Sequence, residues 1–249
     1  MVTKIGMIEM QKIICGGCSF SHDGIGGVPP GLDHNGGNSF LHDPNFLVAN
    51  PRSWTSYVAA ELAADSFVNV AASGHGNILT AITIRYLLDT FPYSPSDTLV
   101  LFNVTDPARF DQICDHESHF KSAAIPWKQS DIPFAFVDRR TDFLRTIEKQ
   151  TGQQCVERMT SMWLRCLCDY LKNSGFRFAF MTMSDYQDIA TYKWLYDEFL
   201  NQLIVLDDES NMIDFCVNRG MTISDQDLHP NLFGHQTIAK KVLGFLEQS

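Results

Sequence analysis

The sequence predicts an α/β fold: a three-layer α/β/α sandwich built on a parallel sheet of five strands. Three observations predict it. Short apolar runs alternate with helix-length amphipathic segments, the pattern expected of strand–helix crossovers in a parallel sheet covered on both sides. No long polar linker and no internal repeat breaks that alternation. The 249 residues are 45% hydrophobic, with 18 Phe and 4 Trp, ample material for one buried core.

Taken in order, KIIC at 12–15 reads as a buried first strand that stops at Gly16-Gly17. A stretch rich in Gly, Pro, Asn and His over about 20–51 is too irregular for a regular element. Trp54, Val58, Ala59 and Leu62 carry helical spacing over 53–63. SFVNVA at 66–71 is the second strand, followed by a helix over about 77–88, and TLVLFN at 98–103 is the third strand. An aromatic-rich insertion at about 106–138, with Phe110, Phe120, Trp127, Phe134 and Phe136, reads as a lid within one domain spanning 1–249. Helices are expected at about 140–151 and 153–173, then a fourth strand at 176–182 and a helix near 185–199. A short fifth strand at 203–206 and a closing helix at 232–246 complete the series; Ile238, Ala239, Val242 and Leu246 share one face of that helix.

Charge narrows the partners. Nineteen Lys and Arg against 29 Asp and Glu give −10, with a pI near 5.1. Such a surface repels phosphate backbones and anionic membranes, so neither nucleic acid nor membrane is an expected partner. No run of 18 apolar residues, the length that spanning a bilayer needs, occurs in the sequence. Seven scattered cysteines and a start without a signal-like apolar run fit a reduced, cytoplasmic protein with mostly buried thiols.

In an open parallel sheet, sites form at the carboxyl ends of strands, so the strand-end loops are the places to look for chemistry. After the first strand comes Gly16-Gly17-Cys18-Ser19-Phe20-Ser21. Two glycines allow a sharp turn that exposes the Ser19 hydroxyl beside unpaired amides, as a nucleophile needs; a helix-capping serine is the plain alternative. After the second strand, Gly74 in SGHGN can offer its amide to a ligand, or simply turn the chain. Asn103, Thr105 and Asp106 end the third strand, able either to donate to an oxyanion or to cap and turn. Asp225-Gln226-Asp227-Leu228-His229-Pro230-Asn231 leads into the last helix. A His two residues after an Asp can act as general base while the carboxylate orients it, and a helix-start turn is the alternative. His235, inside the helix, reads as packed or capping. No phosphate-binding Gly-Lys-Ser/Thr and no complete dinucleotide fingerprint is present, and Cys166-x-Cys168 has the wrong spacing to pair with Cys15-x-x-Cys18 around zinc.

The order of these segments resembles the four sequence blocks of the SGNH/GDSL hydrolase family, over the chain from about Lys12 to Leu246. GGCSFS is similar to the first block, with Ser19 as nucleophile and Cys18 where the family usually has Asp. NVAASGHGN is similar to the second, which makes Gly74 the oxyanion-hole glycine. SDQDLHPNLFGHQTIA is similar to the last, with His229 as base. The third block departs from Gly-x-Asn-Asp: Thr105 occupies the Asn position, and Asn103 stands two residues away as a substitute. Gln226 stands where the family's Asp commonly lies, flanked by Asp227, which we prefer, and Asp225.

The resemblance implies a flavodoxin-like sheet and a serine hydrolase of carboxylic esters, with short acyl groups such as O-acetyl on carbohydrate as leading substrates. It implies Ser19, His229 and Asp227 as the catalytic triad. Ser19 and Gly74 backbone amides, with Thr105 or Asn103, would form the oxyanion hole, and no metal or cofactor is called for. Two rivals stand beside it: a degenerate member that binds a glycan or protein partner without hydrolysis, fed by the altered third block, and a thiol redox protein using Cys15 and Cys18.

Overall fold

A computed structural model of the chain describes residues 12–18, 20–21, 51–71, 75–107, 153–207 and 211–248. Its sheet contains β1 (Lys12–Gly16), β2 (Ser66–Asn69), β3 (Thr98–Val104) and β4 (Arg177–Thr182). All neighbours are parallel, in the order β2-β1-β3-β4. The register pairs Ile14 with Val68 on one side and Val100 on the other, and Phe102 with Phe180. Strand order reverses between β1 and β3, and this is the crevice where open parallel sheets bind ligands.

Alternation along the strands builds two cores. Ile13, Cys15, Phe67, Leu99, Leu101, Ala179 and Met181 face one side. There they meet Trp54, Val58 and Ala59 of α1 (Trp54–Glu61) and Ile238, Ala239 and Val242 of the last helix (Leu232–Gln248). Ile14, Val68, Val100, Phe102, Val104, Phe178 and Phe180 face the other. There they meet Leu79, Ile84 and Leu87 of α2 (Asn77–Thr90) and Leu164, Leu167 and Leu171 of α3 (Gln153–Asn173). With apolar side chains on both faces, every residue of β3 is buried, as a central parallel strand requires.

Local chemistry fixes the ends. Ser53 caps α1 in a capping box with Ser56. Gly175, at φ +76°, ends α3 in the left-handed conformation that glycine adopts without penalty. Asn231 caps the closing helix by accepting from Gly234 N–H at 2.9 Å, so Pro230 precedes the cap and is not an early helical residue.

Three differences from the sequence reading concern the second half. The fifth strand shrinks to isolated bridging, with Phe180 paired in parallel to Leu203 and Ile204 N–H donating to Phe180 O at 2.8 Å. The helix expected near 185–199 contracts to α4 (Trp194–Glu198), because 185–193 is a series of turns around buried Tyr186 and Tyr192. A helix not foreseen, α5 (Met212–Asn218), starts on an Asn211 side chain that accepts from Asp214 N–H; the closing helix is then α6. The helix expected at about 140–151, the loop at 22–50, and the insertion from 108 onward lie outside the described residues. Among the described residues no helix is long and apolar enough to cross a membrane.

Candidate active site

The turn after β1 is held by β3. Gly17 has φ +131°, and a Cβ there would collide with the Asn103 side-chain amide, so only glycine fits. Asn103 follows Leu101 on the α1/α6 side of β3, and its Oδ1 accepts from Cys18 N–H at 3.2 Å and Ser21 Oγ at 2.7 Å. Its Nδ2 donates to Cys18 Sγ at 3.4 Å. Ser21 is fully buried and is gripped from three further sides. Trp54 Nε1–H donates to its hydroxyl at 3.1 Å, while Asn69 Nδ2 and Thr55 Oγ1 donate to its carbonyl at 2.8 and 3.3 Å. Cys18 and Phe20 are the chain neighbours of Ser19; Ser19 itself, like Gly74, lies outside the described residues.

Thr105, just past β3, is clamped by one side chain. Asn77, the first residue of α2, accepts from Thr105 N–H at 2.8 Å and donates to Thr105 O at 3.1 Å. The Thr105 hydroxyl is buried and has no hydrogen-bond partner among the described residues. Buried polar groups of this kind are rare in folded proteins.

His229 sits on a hairpin-like loop. Thr222 and Pro230 form an antiparallel bridge, Ile223 N–H donates to His229 O at 2.9 Å, and the Ser224 and Asp227 backbones exchange two bonds of 3.2 Å. The turn brings Asp227 Oδ1 to 2.5 Å from His229 Nδ1 and to 3.1 Å from His229 N–H. That hydrogen bond from His229 holds the Asp227 carboxyl below its usual range, so the pair persists wherever a free aspartate would be ionised. With the proton on Nδ1, the lone pair falls on Nε2. The His229 ring lies against Phe20, centroids 4.6 Å apart at 30°.

One turn into α6, His235 is buried and accepts from Trp54 N–H at 3.2 Å through Nδ1. Burial pushes its pKa down to about 4, with the His229 charge acting the same way, so it is neutral at pH 7. Its Nε2 has no partner among the described residues.

The structure therefore brings Asp227 onto His229, His229 onto the neighbour of Ser19, and Asn103 beneath the same turn. Asp225 stays exposed, with no hydrogen bond or ion pair among the described residues. Cys15 and Cys18 are both fully buried, and Cys18 Sγ lies against Asn103 and, at 4.0 Å, Met183 Sδ, the setting of a packed thiol. Among the described residues no group of three or more His, Cys, Asp or Glu side chains converges as metal ligands would. Sequence reasoning assigned no role to Ser21, Trp54, Asn69, Asn77 or Tyr192. Ser21 and Asn77 stand inside GGCSFS and NVAASGHGN, but their partners are distant in sequence.

No protein-family profile and no curated protein matches the chain. Solved structures do. A member of the lipolytic protein G-D-S-L family from Veillonella parvula DSM 2008 is similar, with 13% identity and TM-score 0.47, over 96% of this chain and 99% of that one. The psychrotrophic esterase EstA from Pseudoalteromonas sp. has 14% identity and TM-score 0.46, over 96% and 97%. A carbohydrate esterase, described as having divergent catalytic and non-catalytic binding functions in its active site, has 14% identity and TM-score 0.38, over 96% of this chain and 65% of its own.

Proposed function

We propose that the chain is a serine hydrolase of carboxylic esters, working through Ser19, His229 and Asp227. The observation that carries this reading is the Asp227–His229 hydrogen bond beside the Phe20 ring. It pairs an imidazole with a carboxylate and sets that imidazole against the residue next to Ser19, at the strand-order reversal of a parallel sheet. In the mechanism, His229 Nε2 takes the Ser19 proton as the hydroxyl attacks the ester carbonyl, then returns it to the leaving alcohol. Water, activated by the same nitrogen, releases the acid. Asp227 keeps the proton on Nδ1 and stabilises the imidazolium.

Amides of Ser19 and Gly74 hold the developing oxyanion, with Thr105 preferred to Asn103 as the side-chain donor. Both ends of the Asn103 amide are engaged under the turn, whereas the Thr105 hydroxyl has no partner among the described residues. The leading substrates remain short acyl esters such as O-acetyl groups on carbohydrate, on the strength of the sequence resemblance. A fluorophosphonate should label Ser19, and Ser19→Ala should abolish both labelling and turnover of a short-chain aryl ester. Labelling of another serine would move the site. A folded protein inert to the probe would favour the non-hydrolytic binder.

A further inference from the structure

Asn77, Tyr192 and Thr160 are fully buried polar side chains from three separate parts of the fold, and their hydrogen bonds run in one direction. Asn77 Nδ2 donates to Tyr192 OH at 2.9 Å as well as to Thr105 O. Tyr192 OH lies 2.8 Å from Thr160 Oγ1, and Thr160 Oγ1 donates to Pro107 O at 2.8 Å, with Glu157 O of its own helix as a second, longer acceptor at 3.1 Å. Because Thr160 spends its only proton on a carbonyl, Tyr192 is the donor in the middle bond. Burial raises the Tyr192 pKa, which keeps that donor protonated. The chain of bonds thus begins and ends on the loop leaving β3, at Thr105 and at Pro107.

A strand that exits a parallel sheet loses its ladder partners, and its buried amides and carbonyls must find others. Here one asparagine stands in for a neighbouring strand, satisfying both the N–H and the C=O of Thr105. With both groups fixed, the Cα–Cβ direction of Thr105 is fixed too, and with it the orbit of the hydroxyl. An oxyanion donor must lie about 2.7–3.1 Å from the oxyanion position before substrate arrives, and a supporting shell of this kind is what holds such tolerances.

We propose that Asn77, braced through Tyr192 and Thr160, is a positioning residue that sets the Thr105 hydroxyl as an oxyanion donor. The proposal rests on the ester-hydrolase reading. A network that merely satisfied buried polar groups would affect folding stability but not the rate per competent site.

The test is a double-mutant cycle: Tyr192→Phe and Asn77→Asp, each made alone and together with Thr105→Val. kcat and KM are measured per phosphonate-titrated site, with thermal unfolding alongside. Tyr192→Phe keeps the shape of the side chain, and Asn77→Asp keeps the acceptor for Thr105 N–H while losing both donations. Each should lower kcat about tenfold with KM changed less than about twofold, and cost less than about twofold further once Thr105→Val is present. Equal losses in both backgrounds overturn the proposal. So does an unchanged kcat per titrated site with only a lower unfolding temperature. Thr105→Val without effect in an active enzyme also overturns it but leaves the hydrolase reading intact. A wild-type protein that neither reacts with the phosphonate nor turns over an ester ends both.

Discussion

The two halves of the candidate site are built in opposite ways. The proposed acid–base half, Asp227 and His229, lies within three consecutive residues near the surface, with side chains 45% and 27% exposed. It is organised by a turn from Ser224 to Asp227. The other half, Asn103 and Thr105, which we propose faces a developing negative charge, is fully buried and organised by partners far away in sequence: Ser21, Asn77 and, through Asn77, Tyr192 and Thr160. An exposed loop can keep a His–Asp pair because charge and a short hydrogen bond hold it together. A buried loop has no water to satisfy its backbone, so each polar group needs a protein partner, and those partners fix its geometry. The difference implies that local changes should dominate in the first half and distant ones should be felt in the second.

The largest effect expected is at Asp227. Asp227→Asn puts a donor where His229 Nδ1–H now points, favouring the wrong tautomer and removing the charge that stabilises imidazolium. A loss of about 10³–10⁴-fold in kcat with little change in KM is the expected outcome. Steady-state kinetics at saturating and low ester check it, and a loss below about tenfold would mean that His229 works without this carboxylate.

Next comes Thr105→Val, which removes one hydroxyl and keeps the β-branched shape. If Thr105 donates to the oxyanion, kcat should fall roughly a hundredfold. Asn103→Ala is the contrast. It frees Cys18 N–H and Ser21 Oγ and opens space under Gly17, so it should lower thermal stability as well as activity, whereas Thr105→Val should leave the unfolding temperature nearly unchanged. The reverse pattern would make Asn103 the donor.

How much of this was legible in the sequence follows the same divide. β1, β3, α3 and α6 were readable because apolar periodicity is a local signal, and the placement of GGCSFS after the first strand and of SDQDLHPN before the last helix followed from them. Asp227 was preferred over Asp225 as one of the two acids flanking Gln226 in the block that resembles the family's last, and the structure places Asp227 against His229 Nδ1. The fifth strand and the helix near 185–199 were misread because Tyr186, Tyr192 and Leu203 are apolar in sequence for tertiary reasons, packing into the α3 side of the core. The roles of Ser21, Asn77 and Trp54 were invisible. Each depends on a partner at least 28 residues away, and nothing in one sequence marks such a pairing.

A third effect, on stability, comes from His235, where the two halves meet across Trp54. The unfolded chain takes up a proton on this imidazole as pH falls through about 6.5, while the folded chain resists until about pH 4. Between those values the unfolded state binds more protons, so stability is full above about pH 6.5 and is lost as pH falls towards 4. At pH 5 the loss should be about 2 kcal/mol relative to pH 7. His235→Gln, which keeps an acceptor for Trp54 N–H, should flatten that dependence in urea unfolding. A variant as acid-sensitive as the wild type would assign the loss to other groups.

The smallest effect is expected at Asp225, and it tests whether the exposed half is as local as it looks. Asp225 lies at the tip of the turn, exposed and two residues before Asp227, with no hydrogen bond or ion pair among the described residues. Asp225→Asn removes one negative charge near His229 without touching the bond that orients it. A charge in that position acts through water and is screened over about 8–10 Å at moderate ionic strength, as weakly coupled surface ions generally are. kcat should therefore fall less than about tenfold, and the residual difference should shrink as salt rises from about 0.01 to 0.5 M. Asp227→Asn, which breaks a direct hydrogen bond, should keep its full loss at every salt concentration. A salt-independent, severe loss in Asp225→Asn would mean that the loop rearranges in the working enzyme so that this carboxylate, and not its neighbour, meets His229.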